Sequence, residues 1–160
     1  VLEIGKLKAK SILIGWLSHI KICAGDTNLN KTVIISRNGL KSKKDNYEIS
    51  IKFKPIPQEQ AQKILNGLIL NARNGLRQCW PVPPESGWLF AQAKHDSPTK
   101  AYEAFKRHWI GCFRSEGECD KPEMQLCFGY KCDANLLLEN ELFKKCIESL
   151  YDPLIQAIDK

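Results

Sequence analysis

The chain reads as α+β, a small antiparallel-containing sheet flanked by helices. Three observations predict it. Ile12, Leu13, Trp16, Leu17 and Ile20 form a stripe at helical spacing near the start. Tyr47, Ile49, Ile51 and Phe53 alternate with Glu48, Ser50, Lys52 and Lys54, the pattern of a half-buried strand. The rest of the chain is mostly helix-patterned, so helices cover the sheet rather than alternate with parallel strands.

The first helix is expected over residues 7–24, with Gly25 as its stop. Residues 32–36 are rich in β-branched side chains and read as a strand, followed by the turn pair Asn38-Gly39. This strand and the alternating one make an antiparallel hairpin with a basic connection. Pro55 and Pro57 end the second strand, and Pro57 suits the first turn of a helix reaching about Leu76. Trp80-Pro81-Val82-Pro83-Pro84-Glu85-Ser86-Gly87 reads as a stiff extended loop, with a short helical piece after it over residues 88–93. Ser97-Pro98 opens a helix that aligns Tyr102, Phe105, Trp109 and Cys112. Residues 115–120 read as a polar, acidic loop, and Asp120 as the cap of a short helix ending before Gly129. Residues 135–158 read as one helix kinked at Pro153.

With 160 residues, the chain is expected to be a single domain over 1–160. Its 43% hydrophobic and 26% charged composition excludes disorder, collagen and coiled coil. No apolar run is long enough to span a bilayer, and the start carries no secretory pattern. The expectation is a cytoplasmic domain cut from something longer. The net charge of +6 permits nucleic-acid contact without demanding it. The excess gathers in residues 31–54, where Arg37, Lys41, Lys43 and Lys44 are candidates for touching phosphates. The alternative is a solvated basic hairpin.

The chain's 7 cysteines are read as reduced thiols. Cys112, Cys119, Cys127 and Cys132 cluster without any Cys-x2-Cys knuckle, so buried filler is favoured over zinc. His19, His95 and His108 are scattered and read as structural or surface residues. No phosphate-cradling glycine loop occurs. A helix followed by a hairpin is similar to the PD-(D/E)xK nucleases, whose chemistry needs acids on adjacent strands and a Lys two residues after one of them. Here Glu48 is followed at that distance by Ser50, and the strand over 32–36 carries no acid. A catalytically empty sheet is expected, with catalytic residues and metal ligands both absent.

Three segments in order resemble one family, the C-terminal domain of RecC, the gamma subunit of bacterial exodeoxyribonuclease V. The first is Ile51-Lys52-Phe53-Lys54-Pro55-Ile56-Pro57 running into Gln58-Glu59-Gln60-Ala61. The second is Gly75-Leu76 through Pro81-Val82-Pro83-Pro84-Glu85-Ser86-Gly87. The third is Trp109-Ile110-Gly111 with Glu116-Gly117-Glu118-Cys119-Asp120, in which Ser115 and Cys119 depart from the family's pattern. Trp16-Leu17-Ser18-His19 and Leu150-Tyr151-Asp152-Pro153-Leu154 fit as well.

The resemblance implies a catalytically inactive fold of the restriction-endonuclease type. It implies a non-catalytic domain of the RecBCD helicase–nuclease, which works in double-strand-break repair by homologous recombination. The domain would assemble with RecD-type and RecB-type subunits near the site where strands are split, touch the DNA backbone weakly at most, and meet neither membrane nor small-molecule substrate. It would hold no cofactor, Mg²⁺ and ATP being used elsewhere in the complex. In that light Trp80, Trp88 and Phe90, beside stiff proline backbone, are candidate anchors for the partner interface. The alternative is that they cover the domain's own core. Two rival readings are an independent nucleic-acid-binding module and an active Mg²⁺-dependent nuclease.

Overall fold

The computed structural model describes residues 2–3, 7–25, 31–37, 47–113 and 115–159. The chain runs β1 (Leu2–Glu3), α1 (Ala9–Ala24), β2 (Thr32–Arg37), β3 (Tyr47–Phe53), α2 (Gln58–Gly75), α3 (Pro84–Lys94), α4 (Pro98–Ile110), β4 (Gly111–Cys112), β5 (Ser115–Glu116), α5 (Pro122–Phe128), α6 (Ala134–Leu138), α7 (Glu141–Leu150) and α8 (Asp152–Ala157). A single 3₁₀ turn, Glu118–Asp120, lies between β5 and α5. The α+β expectation holds. The chain divides into two compact units, one of Val1–Leu70 with Pro153–Lys160 and one of Asn71–Asp152.

In the first unit the sheet order is β1-β2-β3, with β1 parallel and β3 antiparallel to β2. The hairpin pairs Thr32 with Phe53 and Ile34 with Ile51, then shifts register so that Ile35 meets Ile49 and Ser50 is skipped. This bulge interrupts the strict alternation read from the sequence. The apolar stripe of α1 covers the sheet. Trp16, Ile12 and Ile20 are buried with Ile34, Ile51 and Phe53. At Gly15 the two layers leave no room for a side chain, since a Cβ there would meet the Ile34 Cδ1 at 2.6 Å.

His19 is sealed in this core. Its Nε2 lies 2.9 Å from the Lys54 carbonyl oxygen, which can only accept, so Nε2 carries the proton. Nδ1 then accepts from the Thr32 hydroxyl at 3.1 Å. Burial lowers its pKa against the opposing pull of the Lys54 carbonyl. His19 is thus a neutral linchpin between α1, β2 and the end of β3, with both nitrogens already used. The last carbonyl of α1, on Ala24, accepts from the side chains of Gln58 and Gln62 in α2. The Gln-rich start of α2 therefore closes the C-terminus of α1.

In the second unit α3 packs on α4, and Phe90, Phe105, Phe143 and Trp109 form the centre of the core. Phe90 meets Phe143 edge to face at 5.1 Å between centroids, and Phe105 meets Phe143 likewise at 5.3 Å. Trp109 donates its indole N–H to the Cys132 carbonyl at 2.7 Å.

Three local expectations are corrected. Helix α3 begins at Pro84 rather than after Gly87, because Pro84 is tolerated in a first turn. Residues 115–120 are not a free acidic loop: they hold β5 and the 3₁₀ turn, and Glu118 is buried. The expected C-terminal helix is broken into α6, α7 and α8, because the Asn140 side chain caps α7 by accepting from the Leu142 N–H at 2.8 Å.

Candidate functional site

Lys41, Lys43 and Lys44 lie outside the described residues. Arg37 closes β2 opposite Tyr47, and only its backbone is described. Among the described residues, the basic character of this stretch appears at the other end of the hairpin. Lys52 is paired with Val33, while Lys31 and Lys54 each sit one residue beyond the Thr32–Phe53 pair. Thr32 and Phe53 point into the core, so Lys31, Lys52 and Lys54 occupy the opposite face and are exposed. With Val33, Pro55 and Asp159, the one carboxylate there, they border a groove of about 400 Å³. Like charges this close repel one another, and an anionic ligand would relieve the repulsion.

The same sheet settles how its acids are arranged. Glu3 and Glu48 both stand opposite Ser36, one from β1 and one from β3. The two acids therefore share a row across the sheet, two strand spacings apart, roughly 10 Å. The residue two places after each acid is Gly5 or Ser50, so neither acid has the lysine that steadies an attacking water.

Of the proposed aromatic anchors, two are core residues. Trp88 and Phe90 are each only 6% exposed. Trp88 packs against Tyr151, and Phe90 against Tyr102, Phe105 and Phe143. Their position within α3, rather than on an extended loop, turns them inward. Trp80 is half-buried, with its indole against Gly75.

Below these aromatics lies the most charged interior site of the second unit. Glu118 is 1% exposed. Its Oε1 accepts from the Glu85 N–H at 3.0 Å and its Oε2 from the Ser86 N–H at 2.7 Å. The reason is local. Pro83 stands at the N-cap of α3 and offers no capping side chain, so the first N–H groups of the helix are satisfied by a carboxylate from far along the chain. Tyr151 fixes the same end by donating its hydroxyl to the Pro84 carbonyl at 2.9 Å. Burial pushes the Glu118 carboxyl up, but hydrogen bonds from His108, Ser86 and the two N–H groups outweigh it and hold it below the usual carboxylate range.

Ser86, His108 and Glu118 contain the residue types of a hydrolytic triad, but their geometry is not one. The Ser86 Oγ lies 3.2 Å from the His108 Nδ1, and Glu118 Oε2 lies 3.7 Å from that same nitrogen. A triad needs the acid on one ring nitrogen and the nucleophile on the other. Ser86 is also fully buried.

What the sequence reading missed is the short antiparallel pairing of β4 with β5. Gly111 has φ of +78°, and a Cβ there would meet the Gly117 N at 2.4 Å. A Cβ on Gly117 would meet the Trp109 carbonyl oxygen at 2.3 Å. The Gly117 N–H donates to the Asp120 Oδ2 at 3.0 Å, which explains why Asp120 does not cap α5. At the tip, Phe113 is fully exposed, and Ile110 is largely exposed beside it. With Glu116 and Asp120 they border a groove of about 520 Å³. The Gly111 and Gly117 pair was the available signal, two glycines bracketing a short aromatic tip. Leu76, Leu126, Tyr130 and Leu136 are also well exposed in this unit.

The clustered cysteines are not uniformly filler. Cys119 is buried, Cys132 is half-buried, and Cys112 and Cys127 are exposed. Among the described residues no three His, Cys, Asp or Glu side chains are grouped to hold a metal ion. No helix among them is long and apolar enough to cross a membrane.

The chain matches the model of a protein family. That model, described as the RecC C-terminal domain, covers residues 1–95. The first two segments of the resemblance fall within that match, and the third, from Trp109 onward, lies beyond it. No curated protein matches the chain.

Proposed function

From the chain's membership of the RecC C-terminal domain family, we propose that it is a non-catalytic assembly module of a RecBCD-type helicase–nuclease. The membership itself carries a RecBCD-related role in DNA repair. The finer reading is that the second unit docks on a RecD-type subunit, with the RecB-type subunit nearby. Phe113 is the observation behind it. A fully exposed phenylalanine beside the β4–β5 pairing offers a large apolar ring for a partner to cover. Trp80, half-buried against Gly75, is the second anchor. The acids of the sheet lack their lysine, which supports the absence of nuclease chemistry in this domain, with Mg²⁺ and ATP used elsewhere in the complex.

The chain is expected to co-elute from a sizing column with the RecD-type subunit of the same source. Phe113→Ala should weaken that association by at least about tenfold, as loss of a central anchor does. Its thermal unfolding should be unchanged, since the ring buries nothing in the unit. Separate elution of two folded, competent partners would overturn the docking reading.

The groove of Lys31, Lys52 and Lys54 favours a second, subsidiary role as a phosphate contact. A few such contacts give weak binding, with Kd on the order of 10⁻⁴–10⁻⁶ M. Replacing all three lysines by glutamate should abolish retention of duplex DNA at low salt and flatten the dependence of log affinity on log salt. An unchanged slope would remove this groove from the reading.

A further inference from the structure

The groove beside the β4–β5 pairing has two unlike ends. Ile110 and Phe113 give it an exposed apolar ledge, and Glu116 and Asp120 give it two carboxylates. Among the described residues no base lines it, although the chain carries a net charge of +6. The pairing explains Glu116. Its cross-strand neighbour is Gly111, where a φ of +78° favours glycine, so no side chain stands opposite to meet it. Glu116 is exposed and has no hydrogen bond or ion pair among the described residues. Asp120 uses its Oδ2 to accept from the Gly117 N–H at 3.0 Å, which holds the carboxylate beside the groove. The neighbouring lysines are drawn elsewhere. The Lys121 Nζ lies 4.0 Å from the Glu118 Oε1, and the Lys131 Nζ lies 5.5 Å from the centre of the Tyr130 ring.

We infer that this groove receives a short basic and apolar segment of the docking partner, with an arginine against Glu116 and an apolar side chain on the ledge. The inference rests on the docking role proposed for Phe113 and names the chemistry of what docks there. Arginine suits the groove better than lysine. Its planar guanidinium gives a carboxylate two parallel N–H groups, and its flat face stacks on an aromatic ring. Glu116 offers the carboxylate and Phe113 the ring, and both border the same groove. An acidic segment would be repelled by both carboxylates. A wholly apolar segment would cover Glu116 and Asp120 and leave them without a partner, which is costly. In this arrangement the ring carries affinity, while the carboxylates set orientation and the rate of encounter.

The test uses the whole chain and two labelled peptides of equal length, one alternating leucine with arginine and one alternating leucine with glutamate. Fluorescence anisotropy reads the binding. The arginine peptide is expected to bind about tenfold more weakly to Phe113→Ala and about fivefold more weakly to Glu116→Gln, the sizes of an interface anchor and of an exposed ion pair. Added salt should weaken its binding to the wild-type chain more steeply than to Glu116→Gln. Arg114 lies outside the described residues, and Arg114→Gln should bind the peptide no more weakly, since the cation comes from the ligand. The glutamate peptide should show no loss with Phe113→Ala. All three variants should keep the wild-type circular dichroism. Equal binding of the arginine peptide to the wild-type chain and to Glu116→Gln would overturn the inference. So would a chain that runs as a dimer on a sizing column and returns to monomer with Glu116→Lys, because a second copy would then be the occupant. The RecD-type subunit separates this inference from the docking role. Co-elution lost with Phe113→Ala but untouched by Glu116→Lys would keep the docking role and overturn the arginine. No co-elution, with the arginine peptide still held through Glu116, would do the reverse.

Discussion

Glu118→Ala is expected to lower the unfolding free energy by about 4 kcal/mol, which urea unfolding would measure. Two backbone N–H groups at the start of α3 lose their acceptor, and each buried orphan costs roughly 1–3 kcal/mol. Pro83 supplies no substitute cap, so the loss is not repaired locally. The pH dependence follows from the same contacts. The Glu118 carboxyl is held below its ordinary value of 4.5 in the folded chain, so the unfolded chain takes up the proton first. Its stabilising contribution is complete well above pH 4.5 and disappears as pH falls through the folded pKa. The wild-type chain should therefore lose stability on acidification more steeply than Glu118→Gln, measured between pH 6 and pH 3 (a range set at roughly two units around the free carboxylate). Equal slopes would mean that the carboxylate is not the group that senses acid here.

Phe90→Ala should cost about 4 kcal/mol, in the range for a phenylalanine removed from a core. The ring is 6% exposed and meets three other aromatic rings, all of them edge to face. The measurement is again urea unfolding, with partner binding read separately. A variant that stayed fully stable and lost only partner binding would return Phe90 to the interface. Phe90→Leu keeps most of the volume and should recover more than half of the loss. Together with Phe113→Ala, this pair separates a ring that holds the unit together from one that it presents.

Much of the fold was legible because its long elements carry clean periodicities. The three-and-four stripe of α1 and the β-branched run of β2 each predict an element within about two residues of where it lies, the usual margin at helix and strand ends. The β4–β5 hairpin was not legible, since two-residue strands show no alternation. Glu118 was misplaced for a related reason. In sequence it is one acid among Glu116, Glu118 and Asp120, and only folding brings α3's uncapped N–H groups to it. Proline-flanked aromatics read as an extended loop, whereas Pro84 starts a helix whose inner side Trp88 and Phe90 fill, which is why these two anchor candidates are buried. Of the phosphate-contact candidates in the basic stretch, Lys41, Lys43 and Lys44 lie outside the described residues. The lysines that share a groove are those at its ends, because strand pairing joins Lys31 to the neighbourhood of Lys52 and Lys54.

The first unit is also discontinuous. Beyond β3, the Lys54 N–H donates to the Ala157 carbonyl at 2.7 Å, and the Asp159 N–H to the Lys52 carbonyl at 2.8 Å. The sheet is thus finished on that edge by residues made more than a hundred positions later. During synthesis, β3 waits with an open ladder while the whole second unit emerges, and an open ladder is a template for pairing with another chain. A chain cut before Pro153 would leave that edge of the sheet open for pairing with another chain.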